Sequence, residues 1–196
     1  MYINRIAEAI VILSNASYGH ALVLFTSYEM MSKIHRLLKN KQLEYPLFIL
    51  ARGNNSAISE YRRSKNGILL ACGSIWEGVN FTGDLLSHLI IVKLPFPIPD
   101  PITDYQKSQS RNNRKFKEDI LIPQMLTKLK QGYGRAIRTE TDTAAISILD
   151  IRANGSYREI VRQALPNCKI TYNIEDITTF IKERKNPEYF LALDNQ

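Results

Sequence analysis

The fold is decided by residues 21–38, which read ALVLFTSYEMMSKIHRLL. The first five residues are an uninterrupted apolar run, which is typical of a strand buried on both faces of a parallel sheet. The next four, Thr26-Ser27-Tyr28-Glu29, have the pattern of a helix-capping box, and the apolar residues after them recur at helical spacing. This stretch therefore predicts a buried strand that leads directly into an amphipathic helix.

The same alternation continues on both sides of this stretch. Before it, the apolar residues within 3–13 recur at helical spacing, and after it a short helix is predicted at 56–63. Further strand candidates are residues 47–50, 67–72, 89–92 and 145–149. Strands that alternate with helices predict an α/β fold with a doubly wound, mostly parallel sheet flanked by helices. A length of 196 residues with 44% hydrophobic content suits a single domain, residues 1–196.

Several protein classes are excluded by composition. No apolar run approaches the roughly 18 residues of a membrane span, and the N-terminus lacks the layout of a secretory signal. The two cysteines, Cys72 and Cys168, form neither a metal-binding CxxC motif nor a disulfide framework. The three histidines are scattered along the chain, so we expect no metal site. These features predict a soluble, cytoplasmic protein that does not bind a membrane.

The net charge of +7 is concentrated in one region. Residues 105–138 contain nine basic and two acidic side chains, so this region alone carries a net charge of +7. A basic segment on an otherwise neutral body is expected of a protein that binds a polyanion, and a solvated basic helix is the alternative. The basic residues are Lys107, Arg111, Arg114, Lys115, Lys117, Lys128, Lys130, Arg135 and Arg138.

A proline-rich stretch leads into this basic region. Residues 95–101 read PFPIPDP and hold four of the eight prolines. Proline lacks a backbone donor and fixes φ, so this stretch predicts a stiff, extended connector rather than a helix or a central strand. The connector and the start of the basic region together occupy residues 95–118.

Residues 73–84, GSIWEGVNFTGD, follow the third predicted strand. The carboxyl ends of strands are where open α/β sheets bind ligands, and the three glycines permit a close backbone approach to a phosphate or sugar. The carboxylates Glu77 and Asp84 are candidates for specific polar contacts. For Trp76 and Phe81, the alternative is that the two rings simply fill the core.

A second chemically informative stretch is LKQGYGRAIR, residues 129–138. Helical spacing places Gln131, Arg135 and Arg138 on one face, opposite an apolar face. Gly132 and Gly134 each cost roughly 1 kcal/mol inside a helix, which suggests that another backbone or a ligand approaches closely. Planar guanidinium groups suit phosphate and transition-state charge, so both arginines are candidate arginine fingers. The alternative is a solvated basic face.

The sequence lacks the motifs of a complete nucleotide-hydrolysing site. It contains no Gly-Lys dipeptide, and therefore no phosphate-binding GxxxxGK[ST] loop. It also contains no Asp-Glu dipeptide of the kind that positions magnesium and water in a Walker B motif. We therefore predict that this chain does not hydrolyse a nucleoside triphosphate alone.

These stretches resemble motifs of the DinG/XPD-type superfamily 2 DNA helicases, and the bacterial DinG side fits better. Residues 73–84 resemble motif V, QGYGRAIR at 131–138 resembles motif VI (QxxGRxxR), and ALVLFTSY at 21–28 resembles motif IV. The resemblance extends, in the family's order and spacing, to KLPFPIPDP at 93–101, IPQMLTKLKQG at 122–132 and the Asp150-Ile151-Arg152 step.

Such helicases have two RecA-like motor domains, and this chain resembles only the second. The resemblance implies a RecA-like fold, ATP and Mg²⁺ held mainly by a first motor domain, and single-stranded DNA and that domain as partners. It implies that Gln131, Arg135 and Arg138 contact the triphosphate. The residues expected at the interdomain cleft are Glu77, Gly78, Asn80 and Asp84. The residues expected to contact DNA are Ser27, Arg52, Gly53, Lys107, Arg111, Arg114 and Lys115.

Three positions depart from the family's pattern. Asn80 stands where the family usually has aspartate, so we expect no charge-dependent role there. Arg52 stands where a glutamine is common, which favours plain phosphate attraction over hydrogen bonding. Ala144 replaces a glycine, which is a mild change. None of these departures removes the motif VI arginines.

Two alternatives to a helicase motor domain remain open at this point. The first is a stand-alone nucleic-acid-binding module whose helicase motifs no longer serve a motor. The second is a purely structural interaction domain, which predicts no salt-dependent binding to single-stranded DNA.

Overall fold

The computed structural model describes residues 2–50, 56–73, 81, 83–110, 112–139 and 142–190. Its centre is a sheet of five parallel strands in the order β2-β3-β1-β4-β5. The strands are β1 (Ala21–Phe25), β2 (Leu47–Ile49), β3 (Ile68–Cys72), β4 (His88–Ile91) and β5 (Ala145–Ile148). Each lies within one or two residues of its predicted position, and the α/β prediction with a parallel sheet is confirmed.

Helices cover both faces of this sheet. They are α1 (Tyr2–Ala16), α2 (Tyr28–Lys39), α3 (Ser56–Ser64), α4 (Pro101–Gln109), α5 (Asn113–Phe116), α6 (Ile122–Tyr133), α7 (Arg158–Ala164) and α8 (Glu175–Arg184). A π-helical segment, Lys117–Leu121, joins α5 to α6, and 3₁₀ turns occupy Gly83–Leu85, Ile151–Asn154 and Pro187–Tyr189. Within the described residues, no helix combines the length and apolar character that a membrane span requires.

Successive side chains of the central strand, β1, point to opposite faces of the sheet, so the core has two layers. Strand β1 lies between β3 and β4, and Val23 pairs in register with Leu70 and Ile90. These three side chains belong to the apolar cluster that includes α1 and α2, whereas their neighbours along the strands face the cluster that includes α3, α6 and α7. Burial on both faces explains why β1 is a continuous apolar run rather than an alternating one.

The first helix after β1 is capped one residue later than the capping-box pattern suggests. Ser27 is the N-cap of α2, and its Oγ accepts a hydrogen bond from the Met30 backbone N–H at 3.3 Å. Glu29 therefore occupies the second helical position and not the third, where a capping box needs it. It pairs instead with Lys33 one turn later.

The parallel direction of the strands places the connecting segments at two opposite edges of the sheet. Ser27 and Gly73 follow β1 and β3, so they lie at the carboxyl edge. Asp84 and Thr143 precede β4 and β5, so they lie at the amino edge. Gly73 and Asp84, the two ends of the motif V stretch, therefore lie at opposite edges.

Gly73 occupies a position at the carboxyl edge that only glycine tolerates. Its φ is +74°, and a Cβ atom there would lie 2.6 Å from the Tyr28 hydroxyl oxygen. That hydroxyl donates to the carbonyl oxygen of Cys72 at 3.3 Å, which ties α2 to the end of β3. The glycine at the start of residues 73–84 is thus explained by the fold, since it lets α2 approach this turn.

A buried histidine joins three elements at the amino edge. His88 is fully buried, and its Nδ1 lies 3.1 Å from the Leu13 carbonyl oxygen, which can only accept, so Nδ1 carries the proton. Its Nε2 accepts from the Ser147 hydroxyl at 2.8 Å. Burial lowers the pKa of His88 to about 4, although the Leu13 carbonyl acts in the opposite direction. The ring is therefore neutral and connects α1, β4 and β5.

We predict that this histidine makes the fold less stable in mild acid. The folded-state pKa of about 4 lies below the ordinary 6.5, so the unfolded chain binds protons that the folded chain does not. Stability is lost as the pH falls below 6.5, and His88 contributes about 2 kcal/mol of that loss at pH 5. Urea unfolding at pH 7 and pH 5 measures this loss as the difference between the two free energies of unfolding. His88→Gln should show a smaller loss between the two pH values. Asn4→Gln, a change at an exposed residue of α1 that does not titrate, should retain the full loss. The same loss in His88→Gln as in the wild type would contradict the assignment.

Candidate functional site

The motif VI residues lie at the end of α6 and in the turn that follows it. Helix α6 ends at Tyr133, and Gly134 is its C-cap. The backbone N–H groups of Arg135 and Ala136 donate three residues back, to Gly132 at 3.1 Å and Tyr133 at 2.9 Å, so the chain tightens into a turn.

The prediction that Arg135 and Arg138 share a helical face with Gln131 is therefore wrong. Only Gln131 lies in α6, and both arginines come after its end. The physical reason is that Gly134 is a poor helix former that stands at the C-cap, so the helical spacing does not continue past it. The helix-interior cost assigned to Gly134 does not apply either.

The segment that carries the two arginines is called the arginine loop here and comprises residues 134–139 and 142–144. Gln131, just before it, and Arg138 have exposed side chains, and Arg135 is half-buried. Ala136, between the arginines, is buried in the same apolar cluster as α6. The loop is thus anchored in the core by an apolar residue, and Arg138 lies at the surface.

Asp142 holds the backbone of this loop and was not identified from the sequence. Its Oδ2 accepts the backbone N–H groups of Arg138 and Thr139, both at 2.9 Å. These two hydrogen bonds lower the pKa of Asp142, so the carboxylate is charged at neutral pH. A signal was available, because a short acidic side chain commonly accepts nearby backbone amides, and Asp142 lies four and three residues after Arg138 and Thr139.

Asp84, predicted for the interdomain cleft, lies next to the arginine loop at the amino edge. It belongs to the turn Gly83–Leu85, and Lys185 Nζ donates to its Oδ1 at 2.6 Å and to the Thr143 carbonyl oxygen at 2.8 Å. The last residues of motif V and the last residues of the arginine loop therefore meet at one lysine. Sequence reasoning missed Lys185, since it lies 101 residues from Asp84 and belongs to no motif.

The remaining cleft and DNA predictions fall into two groups. Ser27 is exposed at the carboxyl edge, where its Oγ caps α2 and its hydroxyl proton can still donate to a ligand. The predicted residues that lie outside the described residues are Glu77, Gly78, Asn80, Arg52, Gly53 and Arg111.

The described DNA candidates of the basic region are all exposed. Lys107 lies on α4, Arg114 and Lys115 lie on α5, and the two helices pack against each other. Arg114 Nε donates to Glu118 at 2.8 Å, so part of its charge is balanced locally. Residues 94–100 form neither helix nor strand, as predicted for the connector, but its last predicted residue, Pro101, is the first residue of α4, which Asp100 caps.

The Asp150-Ile151-Arg152 step is a structural element of the carboxyl edge. Buried Asp150 accepts the Leu94 backbone N–H at 3.0 Å and pairs with Arg152, whose guanidinium donates at 2.7 Å. Burial raises the pKa of Asp150, but the hydrogen bonds from Arg152 and Leu94 outweigh it and hold the pKa below its usual value. Arg152 also lies over the Phe96 ring, 5.1 Å from its centroid, and so fixes the connector against the end of β5.

The side chains at the end of α6 and in the arginine loop are suited to bind an anion. Gln131, Arg135 and Arg138 place one amide and two guanidinium groups within eight residues, and such donors suit phosphate oxygens. Among the residues that the structure describes, no group of three or more His, Cys, Asp or Glu side chains is placed to hold a metal ion.

Comparison with known proteins gives concordant matches. A model of the helicase C-terminal domain family matches residues 10–168. The ATP-dependent DNA helicase YoaA of Haemophilus influenzae is 33% identical over 189 residues, which are 93% of this chain and 29% of that protein. The 3'-5' exonuclease DinG of Bacillus subtilis is 31% identical over 178 residues, which are 87% of this chain and 19% of that protein. The chain thus spans about a fifth to a third of the length of these relatives.

Solved structures agree on the fold. The apo form of XPD superposes with a TM-score of 0.65 at 22% identity over 81% of this chain and 33% of its own. Xpd4 of S. tokodaii superposes with a TM-score of 0.58 at 20% identity over 80% of this chain and 32% of its own. The five-stranded parallel sheet is therefore RecA-like. With the family model matching most of its length, the chain belongs to the helicase C-terminal domain family and is a C-terminal helicase domain of the DinG/XPD type.

Proposed function

We propose that this chain is the second motor domain of an ATP-dependent DNA helicase, and that it supplies Arg135 and Arg138 to ATP and Mg²⁺ held mainly by a first motor domain. The observation that carries the proposal is the arginine loop itself. Its backbone is held by Asp142 and its Ala136 is buried, while Arg138 is at the surface.

The arginine loop suits the transition state of phosphoryl transfer. Charge builds on the oxygens of the transferred phosphoryl group, and a guanidinium placed against them stabilises it. Because Asp142 fixes the Arg138 backbone, less conformational entropy is lost when the side chain engages the phosphate. Gln131, exposed at the end of α6, supplies an amide to the same ligand.

The interdomain cleft is proposed to run along the amino edge of the sheet. Asp84 lies there beside the arginine loop, connected to it through Lys185. We assign Glu77, Gly78 and Asn80 to the same cleft on the resemblance to motif V. In this arrangement ATP binding closes the cleft and completes the catalytic site, and hydrolysis opens it.

Single-stranded DNA is proposed to bind elsewhere on the domain. Ser27 at the carboxyl edge, with Arg52 and Gly53, is assigned to the DNA backbone. Exposed cations in the basic region give a phosphate-binding surface of the kind that tracks single strands. The exposed cations are Lys107, Arg114 and Lys115. Arg111 lies outside the described residues and is assigned to the same surface from the sequence. Opening and closing of the cleft at the amino edge would then shift DNA that is bound elsewhere on the domain.

Arg138→Ala in the complete helicase tests the arginine assignment. We expect ATP turnover to fall by about 1000-fold, because an arginine finger stabilises the charge of the transition state and this stabilisation is lost with the guanidinium group. DNA binding should be nearly unchanged. The measurement is DNA-stimulated phosphate release together with fluorescence anisotropy on an oligonucleotide.

Lys130→Ala is the matched control, since Lys130 is an exposed cation on α6 that lies before the loop. It should retain wild-type turnover. Wild-type turnover in Arg138→Ala would refute the finger assignment. DNA binding without ATP turnover in the wild-type helicase would instead favour the stand-alone nucleic-acid-binding module.

The DNA assignment is tested by salt dependence. Each lysine that contacts a phosphate of single-stranded DNA should contribute about 0.7 to the slope of log affinity against log salt. Lys107→Ala and Lys115→Ala should each lower the slope for oligothymidine by about that amount. Lys41→Ala, an exposed lysine outside the basic region, should leave it unchanged. A wild-type affinity that is independent of salt would exclude this surface as a DNA site.

A further inference from the structure

One buried ammonium group lies outside every helicase motif. Lys185 follows α8, beyond the residues 10–168 that match the family model, and its side chain is only 3% exposed. Burial of an ammonium ion is costly unless it is paired and hydrogen-bonded. Here Nζ donates to Asp84 Oδ1 and the Thr143 carbonyl oxygen, and lies 5.9 Å from the centroid of the Tyr189 ring.

The partners of Lys185 come from the two segments that the proposed function uses. Asp84 is the last residue of the motif V stretch, and Thr143 lies near the end of the arginine loop. Thr143 directly follows Asp142, whose carboxylate accepts the backbone N–H groups of Arg138 and Thr139. The charge of Lys185 also reaches Asp142, where it adds to the stabilisation of the carboxylate by those two N–H groups.

We propose that Lys185 is a positioning residue that fixes the arginine loop against the end of motif V, and so sets where Arg135 and Arg138 stand in the cleft. Its catalytic consequence rests on the proposed function. The loop joins α6 at one end and β5 at the other, and Lys185 adds a contact just before β5 that ties the Thr143 carbonyl oxygen to Asp84. Without this contact, the loop is no longer held to Asp84, and the hydrogen bonds from the Arg138 and Thr139 amides to Asp142 open more often.

The two partners of the ion pair differ in burial, and this decides which variant is informative. The Asp84 side chain is 51% exposed, so it returns to water when Lys185 is replaced. Lys185→Met therefore removes the contact without leaving a buried charge, and methionine fills a similar volume. Asp84→Asn leaves the ammonium buried without its counter-ion, so it should lower Tm more than the double variant Asp84→Asn, Lys185→Met.

Hydrogen exchange on this chain tests the positioning role independently of any activity. In Lys185→Met, the amides of Arg138 and Thr139 should exchange about tenfold faster, while those of β1 keep their wild-type rates. Lys182→Met, an exposed lysine one turn earlier in α8, should change neither. Unchanged exchange in the arginine loop overturns the inference. So does a uniform acceleration through the sheet, because Lys185 would then stabilise the fold without positioning the loop.

Steady-state kinetics of the complete helicase test the catalytic consequence. Misplaced arginines should lower kcat for ATP hydrolysis by about 10- to 100-fold in Lys185→Met. KM for ATP should stay near the wild-type value, because the first motor domain holds the nucleotide. In the control Lys182→Met, both kcat and KM should equal the wild-type values. A wild-type kcat in Lys185→Met overturns the positioning role. If the wild-type helicase hydrolyses no ATP, the proposed function fails, and the exchange experiment still decides the role of Lys185.

Discussion

The parallel direction of the five strands is the constraint on which the rest of the structure depends. Every connection between parallel strands must cross back over a face of the sheet, which requires helices on both faces and buries β1, β3 and β4 completely. The same constraint sorts the connecting segments between two edges. Residues that follow a strand, such as Ser27, lie at one edge, and residues that precede a strand, such as Asp84, lie at the other.

The sequence predicted those features that depend on local patterns. Strands β1, β3 and β4 were found because burial on both faces requires continuous apolar runs. The end of α6 was not found, since helical spacing assigns a face to Arg135 and Arg138 whether or not the helix continues past Gly134. The Asp84–Lys185 pair was also missed, because 101 residues separate its partners and only the assembled sheet brings them together.

Polar contacts, rather than apolar packing alone, hold the amino edge together. His88 connects α1, β4 and β5 through hydrogen bonds, and the Tyr189 hydroxyl donates to the Ser17 carbonyl oxygen at 2.8 Å. Helix α8 packs against α1 and β5, and Lys185 reaches the arginine loop from its end. The segment after residue 168, which the family model does not match, is therefore built into the edge that carries the motif VI arginines.

Under the proposed function, coupling between a nucleotide and DNA needs a physical connection between the two edges of the sheet. Residues 73–84 supply a covalent one, because they leave β3 at the carboxyl edge and reach β4 at the amino edge. At the carboxyl end, Gly73 packs under the Tyr28 hydroxyl of α2, the helix that Ser27 caps. At the amino end, Asp84 is paired with Lys185 beside the arginine loop. The two ends of the motif V stretch therefore lie beside the arginine loop and beside the proposed DNA contact, and under the proposed function this placement would let motif V couple the two.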